Sequence, residues 1–138
     1  MLRQINAAMQ PKVHQLPPTA TVAEAAVLMK EKNCGCVVVT VKGHLHGIFT
    51  SGDLVKRVIA AGLDPAKARL EQVMTRKPDS VGKATLAVDA LRMMQDGHYR
   101  HLPVVESGRL LGIISRRDFF GQEQSIIDDE DRLSEVMR

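Results

Sequence analysis

Gly47-Ile48-Phe49-Thr50-Ser51-Gly52-Asp53 and Gly112-Ile113-Ile114-Ser115-Arg116-Arg117-Asp118 are one stretch written twice. Each has a glycine, two apolar residues, a hydroxyl residue, two variable positions and an aspartate. Each comes after a β-like run and opens a helix-like one. The offset is 65 positions, and it holds well beyond the motif. Met9 maps onto Met74, Glu24 onto Asp89, Ala25 onto Ala90, Met29 onto Met94, Val39 onto Val104, Gly43 onto Gly108 and Leu45 onto Leu110. No gap is needed from Met9 to Asp53, so the chain carries an internal duplication.

Half of a 138-residue chain buries too little surface to be comfortably stable, so the repeats are expected to share one core. With one Tyr, three Phe and no Trp, that core is aliphatic. No apolar run approaches the ~20 residues of a membrane helix. Met1-Leu2-Arg3-Gln4 lacks the basic-then-apolar order of a signal peptide, so a cytoplasmic protein is expected. The formal charge is +3, unevenly spread. Residues 119–138 hold six acids against Arg132 and Arg138, and the first 118 residues carry 17 basic and 10 acidic groups. A basic body suits an anionic ligand. Nucleic acid is not expected, because no recognition motif is present and few rings are available for stacking.

The spacing predicts a brief N-terminal helix around Ile5, then an extended segment to Leu16. Thr21 caps a helix over Val22 to Glu31, which Asn33 and Gly35 break. Strands come next at Cys36 to Val41 and Leu45 to Phe49, joined at Lys42-Gly43, and Leu54 to Ala61 is helical up to Gly62. Asp64-Pro65 caps a helix over Ala66 to Met74, and Pro78 to Val81 is extended. The cycle repeats as helix Leu86 to Gln95, strands His101 to Glu106 and Leu110 to Ile114, a turn at Ser107-Gly108, and helix Arg116 to Gly121. Leu133, Val136 and Met137 mark a short C-terminal helix capped by Asp128 or Asp129. The boundaries read as residues 1–62 for the first repeat with its N-terminal segment, 63–121 for the second with a linker helix, and 122–138 for an acidic tail.

Thr50-x-x-Asp53 and Ser115-x-x-Asp118 are capping boxes, which need no ligand. Each nevertheless comes after a glycine on a strand, where backbone can approach a ligand, and a helix N-terminus attracts phosphate. Arg100 and His101 precede a strand; they are either solvated residues or a phosphate grip with a pH-sensitive donor. Arg116 and Arg117 oppose the macrodipole of the helix they would open; either a bound phosphate offsets that cost, or both are solvent-exposed with Asp118 as a local partner. Cys34-x-Cys36 and His44-x-His46 invite a metal. However, a two-residue turn pairs Val41 with His44 and Val39 with His46, leaving Cys36 about 10 Å away. No metal site is expected, and the two cysteines are read as free, small, buried thiols. Ser115, His101 and Asp118 belong to the repeat rather than to a triad, and no catalytic constellation is present.

The two halves resemble cystathionine-β-synthase (CBS) domains, which occur in tandem as a Bateman module. The matching features are the two Gly-x-x-[Ser/Thr]-x-x-Asp stretches, Val73-Met74-Thr75, and Tyr99-Arg100-His101-Leu102-Pro103-Val104-Val105. The resemblance covers about residues 5 to 121. It is close in the second repeat and breaks in the first at Cys34-Gly35-Cys36-Val37-Val38, where the Arg-His-Leu-Pro analogue is lost. The resemblance implies an α/β (α+β) fold of two β-α-β-β-α repeats packed with pseudo-twofold symmetry around two clefts. It implies a non-catalytic sensor that binds an adenine nucleotide (AMP, ADP or ATP), pairs as a homodimer, and acts on an effector protein in trans.

The implied ligand residues are Asp118, Ser115, Arg100, His101, Arg117 and Gly112 in the second repeat. In the first they are Thr50, Asp53, Cys34 and Gly35, with Lys12 and His14 on the extended segment. The positions of Arg100 and His101 fall on Gly35 and Cys36 in the first repeat, so the Asp118 cleft is expected to be the stronger. Two further readings stand beside this one: a structural oligomerisation scaffold with degenerate clefts, and a binder of S-adenosylmethionine or NAD-type ligands.

Overall fold

Two left-handed turns at equivalent places set the strands of this chain. Lys42 and Gly43 have φ of 52° and 81°, and Ser107 and Gly108 have φ of 51° and 79°. Positive φ at both central residues is the signature of a tight hairpin that conforms to the natural strand twist. Two helices end alike as well, at Asn33 (φ 50°) and His98 (φ 57°). The computed structural model describes residues 2–136, so the contribution expected of Met137 lies outside the described residues. Its backbone divides into two units.

The first-repeat unit runs from Lys12 to Asp79 and includes Ser107–Leu110. β1 (Gln15–Leu16) runs parallel to β2 (Cys36–Val41), with Leu16 opposite Val39. Between them α1 (Val22–Lys32) starts from a reciprocal cap: Thr21 Oγ1 accepts from Glu24 N, and Glu24 Oε2 accepts from Thr21 N. β2 turns back into β3 (His44–Thr50). The expected pairing of Val39 with His46 does not form, because a bulge opens between Val39 and Thr40, and Val39 lies opposite Gly47. α2 (Ser51–Asp53) continues as π-helical turns over Leu54–Ile59 and gives way at Gly62 (φ 76°).

The helix expected over Ala66 to Met74 is reduced to α3 (Leu70–Val73). Asp64 does cap a turn, accepting from Ala66 N at 2.9 Å. Arg69 is extended, though, because Leu70 N donates to Ala20 O (2.9 Å) and Glu71 N to Pro18 O (3.0 Å). These long-range bonds replace the local ladder that a longer helix would need. β4 (Thr75–Arg76) then pairs with β3.

The second-repeat unit joins the segment up to Pro11 with Ser80–Glu106 and the chain from Leu111 onward. It contains a 3₁₀ turn at Ile5–Ala7, α4 (Ala87–Gly97), β5 (His101–Glu106), β6 (Arg109–Ser115, shared with the other unit at its first two residues), a 3₁₀ turn at Arg116–Asp118, and α5 (Gly121–Val136). Its long-range bonds repeat those of the first unit at the same 65-residue offset. Ile5 N donates to Thr85 O (2.7 Å) and Asn6 N to Lys83 O (3.0 Å). Val81 lies parallel to Val104, and Gln10 bridges Ile113 where Thr75 pairs with Ile48. Thus the N-terminal segment is built into the second repeat's unit, and residues 64–76 into the first's.

Among the described residues the buried apolar side chains gather in separate clusters where chain length led to the expectation of one core, and two of these clusters are each completed by such a segment. One gathers Val22, Val37, Phe49, Val58 and Leu70. The other gathers Ile5, Met94, Leu102, Val104 and Ile114. Ile5 and Leu70, equivalent by the offset, are both fully buried.

Two expectations at the C-terminal end are corrected. The helix over Arg116 to Gly121 is only a 3₁₀ turn, since Phe119 is extended (φ −90°, ψ 149°). The short terminal helix capped at Asp128 or Asp129 is a 16-residue helix that starts at Gly121 and contains both. Its early start is due to Glu123, whose carboxylate accepts the Phe120 N–H at 2.7 Å, and to Ile127, buried with Val88 and Leu91 of α4. Among the described residues no helix is long and apolar enough to cross a membrane.

Candidate functional site

The two motif aspartates close equivalent turns after equivalent strands. Asp118 Oδ2 accepts from Ser115 N (2.7 Å) and Ser115 Oγ (3.1 Å), while Oδ1 accepts from the Gln10 side-chain amide (3.3 Å). Asp53 Oδ2 accepts from Thr50 N (2.9 Å), Thr50 Oγ1 accepts from Asp53 N (3.2 Å), and Arg57 Nε stands 3.6 Å from Oδ1. The backbone beyond the two turns differs. Asp53 lies in the first turn of a continuing helix, and Asp118 in a three-residue 3₁₀ turn. The macrodipole cost expected at Arg116 and Arg117 therefore has no helix behind it.

β5 brings Arg100 and His101 to this turn. Arg116 N donates to Arg100 O (2.9 Å), matching Ser51 N to Gly35 O (3.0 Å) in the first repeat. His101 is half-buried. Its pKa is held below the ordinary 6.5, first by burial, then by the charges of Arg117 and Arg100, with Asp118 opposing. At neutral pH it is an uncharged ring beside exposed guanidiniums and a carboxylate. Arg116 is turned to α5, where Nη2 donates to Gln124 Oε1 (2.9 Å). Arg100, His101, Ser115, Arg117 and Asp118 thus meet within one unit, and they can accept hydroxyls and grip a phosphate.

The first repeat offers less. Cys36 is buried, and its thiol is pushed far above its usual range by burial, then by Cys34 and Asp53, so it stays protonated. Cys34 is only half-buried, which corrects the expectation of two buried thiols; its Sγ donates to Cys36 O (3.6 Å), and both cysteines are free. Gly35 stands beside Ser51, where an added Cβ would be 3.4 Å from its Oγ. Lys12 is exposed and His14 half-buried on the segment leading to β1, where His14 O accepts from Val38 N. Among the described residues, no three of His, Cys, Asp and Glu stand together where a metal ion could be held.

The motif glycines are used by the protein itself. A Cβ on Gly112 would lie 2.7 Å from the Gln10 carbonyl oxygen and 3.0 Å from Met9 Sδ. One on Gly47 would lie 2.5 Å from Met74 Sδ and 2.9 Å from the Thr75 oxygen. The close approach they permit is that of the segment carrying Met9 or Met74. The sequence pattern does not announce Gln10, nor Arg3, which donates to the Asp118 carbonyl oxygen (2.9 Å), nor Glu123, which accepts from Arg3 (2.8 Å). Gln10 aligns with Thr75, so the repeat gives no hint of an amide there, and Glu123 reads as one acid among many.

The family model described as CBS domain matches residues 2–60 and 70–123. The chain belongs to the CBS domain family. The CBS domain-containing protein YhcV of Bacillus subtilis is 30% identical over 124 residues, which cover 90% of this chain and 88% of YhcV. CBSCBSPB1 of Arabidopsis thaliana is 42% identical over 95 residues, 69% of this chain; the chain spans only 18% of that relative's length. An uncharacterized conserved protein from Pyrococcus horikoshii matches in structure with a TM-score of 0.79 and 32% identity, over 86% of this chain and 89% of that one. The CBS domain protein PAE2072 from Pyrobaculum aerophilum, complexed with AMP, matches with a TM-score of 0.81 and 23% identity over 91% and 98%, a likeness of fold. The mixed α+β fold is that of CBS pairs.

Proposed function

We propose that this CBS pair is a non-catalytic sensor that binds an adenine nucleotide (AMP, ADP or ATP) and passes its bound state to a partner protein in trans. The observation that carries the reading is the gathering of Arg100, His101, Ser115 and Arg117 around Asp118. An ionised carboxylate accepts paired ribose hydroxyls, and guanidiniums grip a phosphate bidentately. Gly35 and Cys36 take the places of Arg100 and His101 in the first repeat, so the Asp118 site is the principal one. The AMP complex of PAE2072 shares the fold and supports the choice of ligand. A homodimer is supported by exposed Val55, Ile59 and Leu63 along and after the π-helical turns.

Calorimetry on variants tests the reading. Asp118→Ala loses hydrogen bonds to a charged group, roughly 1.5–3 kcal/mol, and should weaken AMP binding about tenfold or more. Asp53→Ala should cost much less. Arg100→Ala should weaken AMP binding while leaving adenosine nearly unchanged. Equal losses at Asp53 and Asp118 would overturn the asymmetry. A folded wild type that binds no nucleotide would favour the scaffold reading, which the filled space beside Gly47 and Gly112 supports.

A further inference from the structure

Glu123 is the one buried charged residue among the described residues. Arg3 grips it with a fork: Nη2 donates to Oε1 at 2.8 Å and Nε to Oε2 at 3.3 Å. The same Nη2 donates to the backbone oxygen of Asp118 at 2.9 Å. The guanidinium carbon stands 3.7 Å from the centroid of the Phe120 ring, and Phe120 N donates to Glu123 Oε1 at 2.7 Å. One side chain thereby ties together Asp118, Phe120 and Glu123.

The first repeat shows what this place requires of the fold. At the 65-residue offset, Arg3 corresponds to Ala68, Phe120 to Val55 and Glu123 to Val58. Ala68 and Val58 belong to that repeat's apolar cluster. An apolar pair therefore suffices there, and burying an ion pair is a poor way to gain stability, because desolvation offsets the attraction. The difference between the repeats lies in the adjoining backbone. Asp53's turn is continued by π-helical turns that carry their own hydrogen-bond ladder. Asp118's turn is left at once by an extended Phe119, and its carbonyl receives a hydrogen from Arg3 instead.

We infer that Arg3 and Glu123 are positioning residues for the Asp118 acceptor. They hold the 115–118 turn in place of the missing helix, so affinity at the site depends on a side chain 115 positions away. The inference rests on the reading of Asp118 as the ligand's acceptor. The clamp also sets the first turn of α5, so by linkage a ligand that orders the turn also orders the start of that helix.

The test is the double variant Arg3→Ala/Glu123→Val, which installs the first repeat's own pair. It should melt close to the wild type. Its amides from 115 to 121 should exchange with deuterium about tenfold faster without ligand, and its AMP affinity should fall about fivefold, the size of one or two lost hydrogen bonds. Glu123→Gln, which keeps an acceptor for Arg3 and for Phe120 N, should stay within about twofold of the wild type in affinity. Wild-type affinity and exchange in the double variant would overturn the inference. If the double variant does not fold, Arg3→Lys carries the test: it keeps the charge but cannot span Glu123 and the Asp118 carbonyl, and wild-type behaviour there overturns the inference equally. Failure of the wild type to bind AMP would sink the ligand reading separately, and unchanged exchange at 115–121 would sink the clamp.

Discussion

Gly112→Ala should cost about 2–3 kcal/mol of stability, through contact alone. Gly112 does not have a left-handed φ, so alanine is not strained there in itself. Its methyl would stand 2.7 Å from the Gln10 carbonyl oxygen and 3.0 Å from Met9 Sδ. The methionine can swing aside. The carbonyl cannot easily do so, because it accepts from Ile113 N (3.0 Å) while Gln10 N donates to Ile113 O (2.8 Å). Either the bridge parts or the methyl is compressed. Overpacking costs about 1–3 kcal/mol and a strained hydrogen bond about 1 more, so the upper half of that range applies. For a chain of this length that lowers Tm by roughly 6–12 °C. Thermal and urea melts by circular dichroism would read it, with Gly82→Ala, which meets nothing within 4 Å, as control. A Gly112→Ala protein melting with its Gly82→Ala control would refute the lodging of the N-terminal segment against this glycine.

Ile5→Ala and Leu70→Ala should each cost about 2–5 kcal/mol by urea melts, because each is a fully buried anchor of an equivalent segment; an inexpensive Ile5→Ala would contradict its burial. The Glu123 carboxyl is raised by burial but lowered more by the Arg3 and Phe120 hydrogen bonds and the Arg3 charge, ending below its ordinary 4.5. Its stabilisation is therefore present above about pH 4.5 and lost as pH falls through the lower folded value, so the gap between wild type and Glu123→Gln should close in acid melts. His101, depressed below 6.5, binds fewer protons folded than unfolded, so stability should fall as pH drops below 6.5, and His101→Asn should flatten that slope.

Local chemistry is legible in the sequence where local bonds decide the backbone. The Thr21–Glu24 box, the left-handed Asn33 and the Lys42-Gly43 turn need no partner beyond a few residues, and the pattern of hydroxyl, acid and glycine announces them. The helix expected over Ala66 to Met74 fails because Leu70 and Glu71 bond to residues about fifty positions earlier, and no helical period encodes that. The early start of α5 depends on Glu123 facing Arg3 across 120 positions. At the site, the duplication exposes Asp118 and its Arg-His neighbours. Gln10 and Arg3 stay hidden because their first-repeat counterparts, Thr75 and Ala68, share none of their chemistry.

The placement of the segment up to Pro11 also has a consequence for synthesis. Ile5 leaves the ribosome long before its backbone partner Thr85, and Gln10 waits for Ile113. A cluster sealed by contacts of such long sequence separation forms late, since chain closure precedes any reward. The first-repeat unit, whose main segment ends at Asp79, has most of its partners earlier. During translation the segment up to Pro11 stays an unburied apolar tether until the second repeat emerges. A stall between the repeats would hold Ile5 and Met9 in water, where chaperones would find them.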